Sequence, residues 1–222
     1  MKRILEIGGV VAGVVLIAFG VAAITLAYNG KKTVANELKF QQITGTPDMS
    51  PTAIKAEVAG QPWAKSYTLP TCDVAGVAIT NGDQARCFGQ YMKVHTLEAT
   101  QGVPYALMGR YLAKPDAPAS ALTKDGATND TNYAQLDPKT NQPVENGARN
   151  IWVTYTSLTG ALNASYMAEQ MANFGIVVGI ALLLSGFGFV ILALGGALEN
   201  QWAFARKPAE TKLDPSATPL NV

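Results

Sequence analysis

The sequence is poor in the residues that usually carry chemistry. It has one histidine and two cysteines in 222 residues, with 15% charged and 8% aromatic. One imidazole and two thiols exclude most multi-ligand metal sites, which gather three or four nitrogen, sulfur or carboxylate donors. No metal ligand or cofactor is therefore expected. There is no Gly-x-Ser-x-Gly nucleophile elbow, no Cys-x-x-Cys redox pair and no Cys-x-x-Cys-His haem attachment. A net charge of +1, from 17 Lys+Arg and 16 Asp+Glu, sets up no field that would recruit nucleic acid. Gly (21) and Pro (12) are too few for a low-complexity chain. Soluble domains carry about 25% charged residues, so the missing charge must be missing from somewhere in particular.

It is missing from two blocks. Residues 7–28 (IGGVVAGVVLIAFGVAAITLAY) and 174–198 (FGIVVGIALLLSGFGFVILALGGAL) contain no ionisable acid or base. Each exceeds the ~20 residues a helix needs to cross ~30 Å of hydrocarbon, and each is apolar on every face. The expectation is two transmembrane helices. The alternative for the first, a cleaved signal peptide, has Met1-Lys2-Arg3 as a basic start. The apolar run is longer than the ~7–15 residues of a signal core, and Thr25-Leu26-Ala27 is a weak cleavage site. Neither span carries an acid or base in its interior, Glu6 lying at the edge, which argues against a transport mechanism within one chain.

Orientation follows from basic residues near the span ends. Lys2 and Arg3 precede the first span; Arg206, Lys207 and Lys212 follow the second. The expected layout is a cytoplasmic tail (1–6), a span (7–28), an extracytoplasmic domain (29–173), a span (174–198) and a cytoplasmic tail (199–222). Tyr28 and Trp202 are candidate interface anchors. Lys31 and Lys32 oppose this arrangement, but a segment as long as 29–173 translocates largely regardless of charge. The expected location is the cell membrane.

The central segment holds twelve basic and twelve acidic residues and so is neutral. Cys72 and Cys87 both lie in it, and outside the cytoplasm such a pair usually bridges. Lys31–Gln41 lacks Pro and Gly and can continue the first span as helix. Ser50 and Pro51 have the character of an N-cap and first helical residue, giving a helix 51–59 that stops at Gly60. Residues 62–80 show no clean period and are expected to be irregular. Asn81-Gly82-Asp83 opens a helix 83–100 that Gly102 ends, and Pro104 starts a short one through Ala113. Residues 114–147 form a long polar loop with four prolines, either functional or poorly ordered. From Ala148 one helix is expected to run to about Asn200, forming a stalk with the extension of the first span. The fold class is thus mostly α: two spans flanking a disulfide-stapled helical domain.

Three further features invite functional readings. His95 shares a helical row with Cys87 and Tyr91; without a second histidine it reads as a partly buried residue hydrogen-bonded within the fold. Asp125, Asn129, Asp130 and Asn132 crowd one loop, but the EF-hand spacing is absent and turn composition explains them. Asn129-Asp-Thr131 and Asn163-Ala-Ser165 match the glycosylation tripeptide, a pattern that arises often by chance. Gly9-x-x-x-Gly13 and Gly175-x-x-x-Gly179 each place two glycines on one helix face, where a partner backbone can approach closely; Gly186, Gly188, Gly195 and Gly196 extend the smooth surface.

The stretches ELKFQQITGTPDMSPTAIKAE (37–57), LPTCDVAG (69–76), RCFGQYMKVHTLEATQGVPYALMGRYL (86–112) and DPKTNQPVENGARNIWVTYTSLTGALNASYMAE (137–169) resemble a group of uncharacterised actinobacterial membrane proteins with two spans and an extracytoplasmic insertion. With both spans the resemblance covers most of residues 1–200. Some members carry the label of aromatic ring-opening dioxygenase. An extradiol dioxygenase needs two histidines and a carboxylate on iron, which one histidine cannot supply. The function expected is therefore non-catalytic: an accessory or scaffold subunit of a bacterial membrane complex, with a respiratory-chain complex as one candidate host. The partners expected are membrane lipids and other membrane subunits or further copies of the chain. A homo-oligomeric assembly or pore and an extracytoplasmic lipid- or envelope-binding module are the alternatives.

Overall fold

Uninterrupted helix formers at both ends of the chain produce its two longest elements. In a computed structural model that describes residues 2–195, helix α1 covers Lys2–Gln41, α2 Pro51–Glu57, α3 Gly82–Ala99 and α4 Gly147–Leu194. Arg206, Lys207, Lys212, Trp202 and Gly196 lie outside the described residues, as do the side chains of Lys2 and Arg3. The fold is mostly helical. The described residues divide into two compact units, one from residues up to Thr25 and from Gly175 onward, the other Leu26–Phe174.

In the first unit, stretches of α1 and α4 pack antiparallel. Both helices are long and apolar enough to cross a membrane, and only 17% of each apolar window is buried within the protein. A soluble core helix would be mostly buried; here Phe19, Leu184, Phe187 and Ile191 point outward and are more than half exposed. Glycine sets the contact. A methyl group on Gly13 would lie 2.7 Å from the Gly186 carbonyl oxygen and 2.6 Å from Val190 Cγ2, and one on Gly20 would lie 2.8 Å from the Gly179 carbonyl. The meeting glycines are thus Gly13 with Gly186 and Gly20 with Gly179, two turns apart on each helix. Close backbone approach multiplies dispersion contacts where no hydrophobic force drives association. Gly186→Leu is expected to cost about 1–3 kcal/mol through overpacking. Gly188→Leu, at a glycine facing open space, should cost nothing measurable. Unfolding of the two variants in mixed detergent micelles checks the contrast.

The second unit has α3 at its centre. Asn81 caps α3 by accepting from the Gln84 amide. The Gly82 amide donates to Glu169 on α4, and Gly82 and Gly89 bring α3 against the α4 backbone at Tyr166 and Thr159. Arg86 lies over the Tyr166 ring at 4.6 Å. Tyr91, Val94 and Ala85 of α3 are fully buried with Ile54 of α2, Val58 just past its end, and Val74 and Ile79 of the intervening segment. Leu38 of α1 and Leu162 of α4 close the same core. Lys31 of α1 pairs with Glu169 at 3.5 Å and donates to Asn173 at 2.9 Å.

Cys72 and Cys87 form a disulfide across a separation of 15 residues. It pins the irregular 67–80 segment to α3, and the Tyr91 hydroxyl adds a hydrogen bond to the Cys72 carbonyl at 2.6 Å. Replacing both cysteines by serine should destabilise this unit by about 3 kcal/mol, the chain entropy released by opening such a loop. Chemical denaturation of the full chain in detergent, monitored at the three tryptophans, measures it.

Some local expectations differ from the structure. Helix α2 ends at Glu57 rather than Ala59, with Gly60 at φ +89° turning the chain just beyond it. The helix expected from Pro104 to Ala113 is only a 3-10 turn at Tyr105–Leu107. Beyond it, Tyr111 exchanges backbone hydrogen bonds with Thr128 (2.9 and 3.0 Å), and Gly109 packs on the 127–128 backbone. Pairing with distant segments overrides the local helical preference. A 3-10 turn at Pro62–Ser66 lies within the segment expected to be irregular.

Candidate functional site

The sole histidine marks the one place, among the described residues, where three metal-competent side chains converge. His95 projects from the fourth turn of α3. Asp48 comes from the turn before α2, in which the Met49 amide donates to the Thr46 carbonyl. Glu57 is the last residue of α2. The donor atoms of Asp48, Glu57 and His95 all lie within 4.8 Å of one another. Their placement follows from packing. Ile54 of α2 and Val58 just past its end are buried in one core with Val94, and the Met49 carbonyl accepts from Val74 (3.1 Å) on the disulfide-tethered segment.

The electrostatics divide into two pairs. Nε2 of His95 is shielded from solvent and lies 2.6 Å from Asp48 Oδ2, a contact that is an ion pair when the imidazole is protonated. Burial would raise the Asp48 pKa, but hydrogen bonds from Thr46 and its own amide, with the His95 charge, hold it below the ordinary value. Glu57 shifts upward, first through desolvation and then through a hydrogen bond and charge repulsion from Glu98, one turn beyond His95. Two carboxyls so close disfavour each other's ionisation. The arrangement can hold a proton between acids, keep an imidazole against a carboxylate, or ligate a cation through nitrogen and oxygen together.

A second feature is a shallow cleft of about 320 Å³ lined by Tyr105, Trp152, Val153 and Thr156. The Trp152 indole donates to the Val103 carbonyl at 3.0 Å and the Thr156 hydroxyl to the Trp152 carbonyl at 2.9 Å. Its lining supplies no acid or base.

The long polar loop is organised around Asp125. Its Oδ1 accepts from the Thr123 hydroxyl (2.6 Å) and the Gly109 amide (3.2 Å), and its Oδ2 from Asn146 Nδ2 (2.7 Å). Asn146, 5% exposed, also donates to the Gly109 carbonyl. Asn129 accepts from the Arg110 amide and Asp130 from the Asn132 amide. The acids and amides that crowd this loop thus bind backbone. Burial would raise the Asp125 pKa, but its hydrogen bonds from Thr123, Gly109, Asn146 and Ala127 outweigh burial and lower it. A carboxylate with a lowered folded-state pKa contributes stability above its unfolded pKa and loses it as pH falls through the folded value. The 108–146 segment should therefore loosen first below pH ~4, and Asp125→Ala should loosen it at neutral pH by about 1–3 kcal/mol by stranding buried donors. Hydrogen exchange at the Gly109 and Ala127 amides reads both effects.

No protein-family model, curated protein or solved structure matches the chain. The structure places Cys72 and Cys87 in one bridge and brings Gly13 and Gly179 into helix contacts, each with a glycine outside the four-residue motifs. Gly9 and Gly175 are half-buried in the same helices. Asp48, Glu57 and Glu98 escaped sequence reasoning. Asp48 and Glu57 lie far from His95 along the chain and share no motif with it; only the i, i+3 spacing of His95 and Glu98 was visible locally.

Proposed function

We propose that the chain is a non-catalytic accessory subunit of a larger bacterial cell-membrane complex, with both termini cytoplasmic and residues 29–173 outside. The observation that carries this reading is an apolar stripe on α4. Met167, Met171 and Phe174 follow one another at helical spacing and are 63%, 71% and 70% exposed. Methionine and phenylalanine are enriched where proteins meet, and an unpartnered stripe of this kind marks an interaction surface. Its occupant in this reading is an apolar helix of another membrane subunit. The outward-facing residues of the two apolar helices are suited to lipid or to further helices.

The topology draws support from two sources. Lys31, the charge that opposes it, is paired with Glu169 and Asn173 and so weighs less as a retention signal. The Cys72–Cys87 bridge suits an oxidising compartment.

Tagged chain extracted from its native membranes in mild detergent should bring down a distinct integral membrane protein. Met167→Lys with Met171→Lys should release that protein, since exposed substitutions leave the fold within about 0.5 kcal/mol of its stability. A particle containing one copy of the chain alone would defeat the proposal. So would an integral number of copies with no other subunit, which would favour the homo-oligomeric assembly.

A further inference from the structure

We propose that Asp48, Glu57 and His95 form a binding site for a divalent transition-metal ion of the zinc class. The site lies within the second unit and neither requires nor supports the accessory reading.

The geometry is close to that of a ligand shell. Oxygen and nitrogen donors sit about 2.0–2.2 Å from zinc, in a tetrahedral arrangement. The three donor atoms already lie within 4.8 Å of one another. Ligation would widen the 2.6 Å His95–Asp48 contact to the spacing of two ligands on one ion. The donors come from three positions held by a shared core: the turn before α2, the end of α2 and the face of α3. Their side chains also leave a way in, since Glu57 is exposed and the His95 and Asp48 side chains keep 26% and 33% of their surface.

Surface acids often cluster without binding anything, and two observations distinguish this group. First, the group contains an imidazole: His95 Nε2 is shielded from water and lies 2.6 Å from Asp48 Oδ2, so a nitrogen donor held out of solvent already faces an oxygen donor. Second, its oxygen donors come from two separate places in the fold, the turn before α2 and the end of α2, and converge on that nitrogen to within 4.8 Å.

The donor set selects the ion class. One imidazole with two carboxylates suits zinc or manganese. The absence of thiolate or thioether disfavours cuprous ion, and calcium and magnesium, which take oxygen, would gain little from His95.

The test is calorimetric titration of zinc chloride into the tag-free, metal-stripped full chain in detergent at neutral pH. One ion per chain is expected, with excess calcium leaving the affinity unchanged. Glu57→Gln, at an exposed position that should not disturb folding, and His95→Asn should each weaken binding about tenfold or more. Glu37→Gln on the exposed face of α1 should not. X-ray absorption of the loaded chain should show one imidazole nitrogen and oxygen donors. Absence of one-to-one binding overturns the proposal. Binding that both Glu57→Gln and His95→Asn leave intact also overturns it, as does equal competition by calcium, which would mark a plain acidic surface.

Discussion

The arrangement of the second unit depends on a closed mechanical circuit through α3. Cys87 on α3 holds Cys72 covalently, and Tyr91, one turn along, holds the Cys72 carbonyl by a hydrogen bond. Two residues on, the Val74 amide reaches the Met49 carbonyl, which fixes the turn bearing Asp48. Asp48 then meets His95, back on α3. Gly45 lies so close to the Val74 carbonyl that any side chain there would collide with it. Each link is local, but together they bring parts of the chain remote in sequence into register on one helix. The circuit also substitutes for regular structure: residues 67–80 contain no helix or continuous strand, yet Val74 and Ile79 are among the most buried residues.

Charge in this unit follows from that circuit. Most of the balanced acids and bases lie in solvent, where an ion pair contributes little. Asp125 and the group around His95 are exceptions of opposite kinds. Asp125 is saturated with donors from its own loop and has no valence left over; its function is to replace a hydrophobic core where large apolar side chains are scarce. Around His95 the acceptors outnumber the donors. Asp48 and Glu57 converge on one imidazole, and Glu57, partly desolvated and beside Glu98, shifts toward its neutral form. A polar network built only for stability would be expected to satisfy its members. The imbalance is what separates this cluster from the loop, although both are rich in carboxylates.

Much of the architecture was legible in the sequence because it rests on short-range signals. The uncharged runs, the Ser50-Pro51 and Asn81-Gly82 helix starts, and the lack of breakers after Ala148 all act within a few residues of where they are read. The disulfide was legible from the cysteine count and from the compartment that the basic flanks of the apolar runs suggest. What stayed hidden depends on contacts between distant segments. Tyr111 could not be recognised as the partner of Thr128, and the region from Pro104 therefore looked helical. The loop's order was equally hidden, because its core is a carboxylate and an amide rather than apolar residues. His95 could be assigned a hydrogen-bonded, partly buried place. The partners that make it chemically interesting come from a turn and a helix end that nothing in the local pattern links to it.

The glycines of the apolar helices show how a motif can identify the correct surface and the wrong spacing. Four-residue glycine pairs suggest helices crossing steeply over a short contact. The contacts instead repeat at Gly13 and Gly20 on α1 and at Gly179 and Gly186 on α4, a seven-residue interval. A heptad interval keeps two helices in register along a shallow crossing, as in left-handed coiled coils. Small residues two turns apart therefore sustain a long seam, with Ile17, Ile24, Leu183 and Val190 packed on the glycines. In hydrocarbon, burying these aliphatic side chains gains little by itself, because lipid tails are equally apolar. The association rests on how closely the backbones approach. That gives weight to the glycines that touch and none to Gly188, which shares their composition but faces open space.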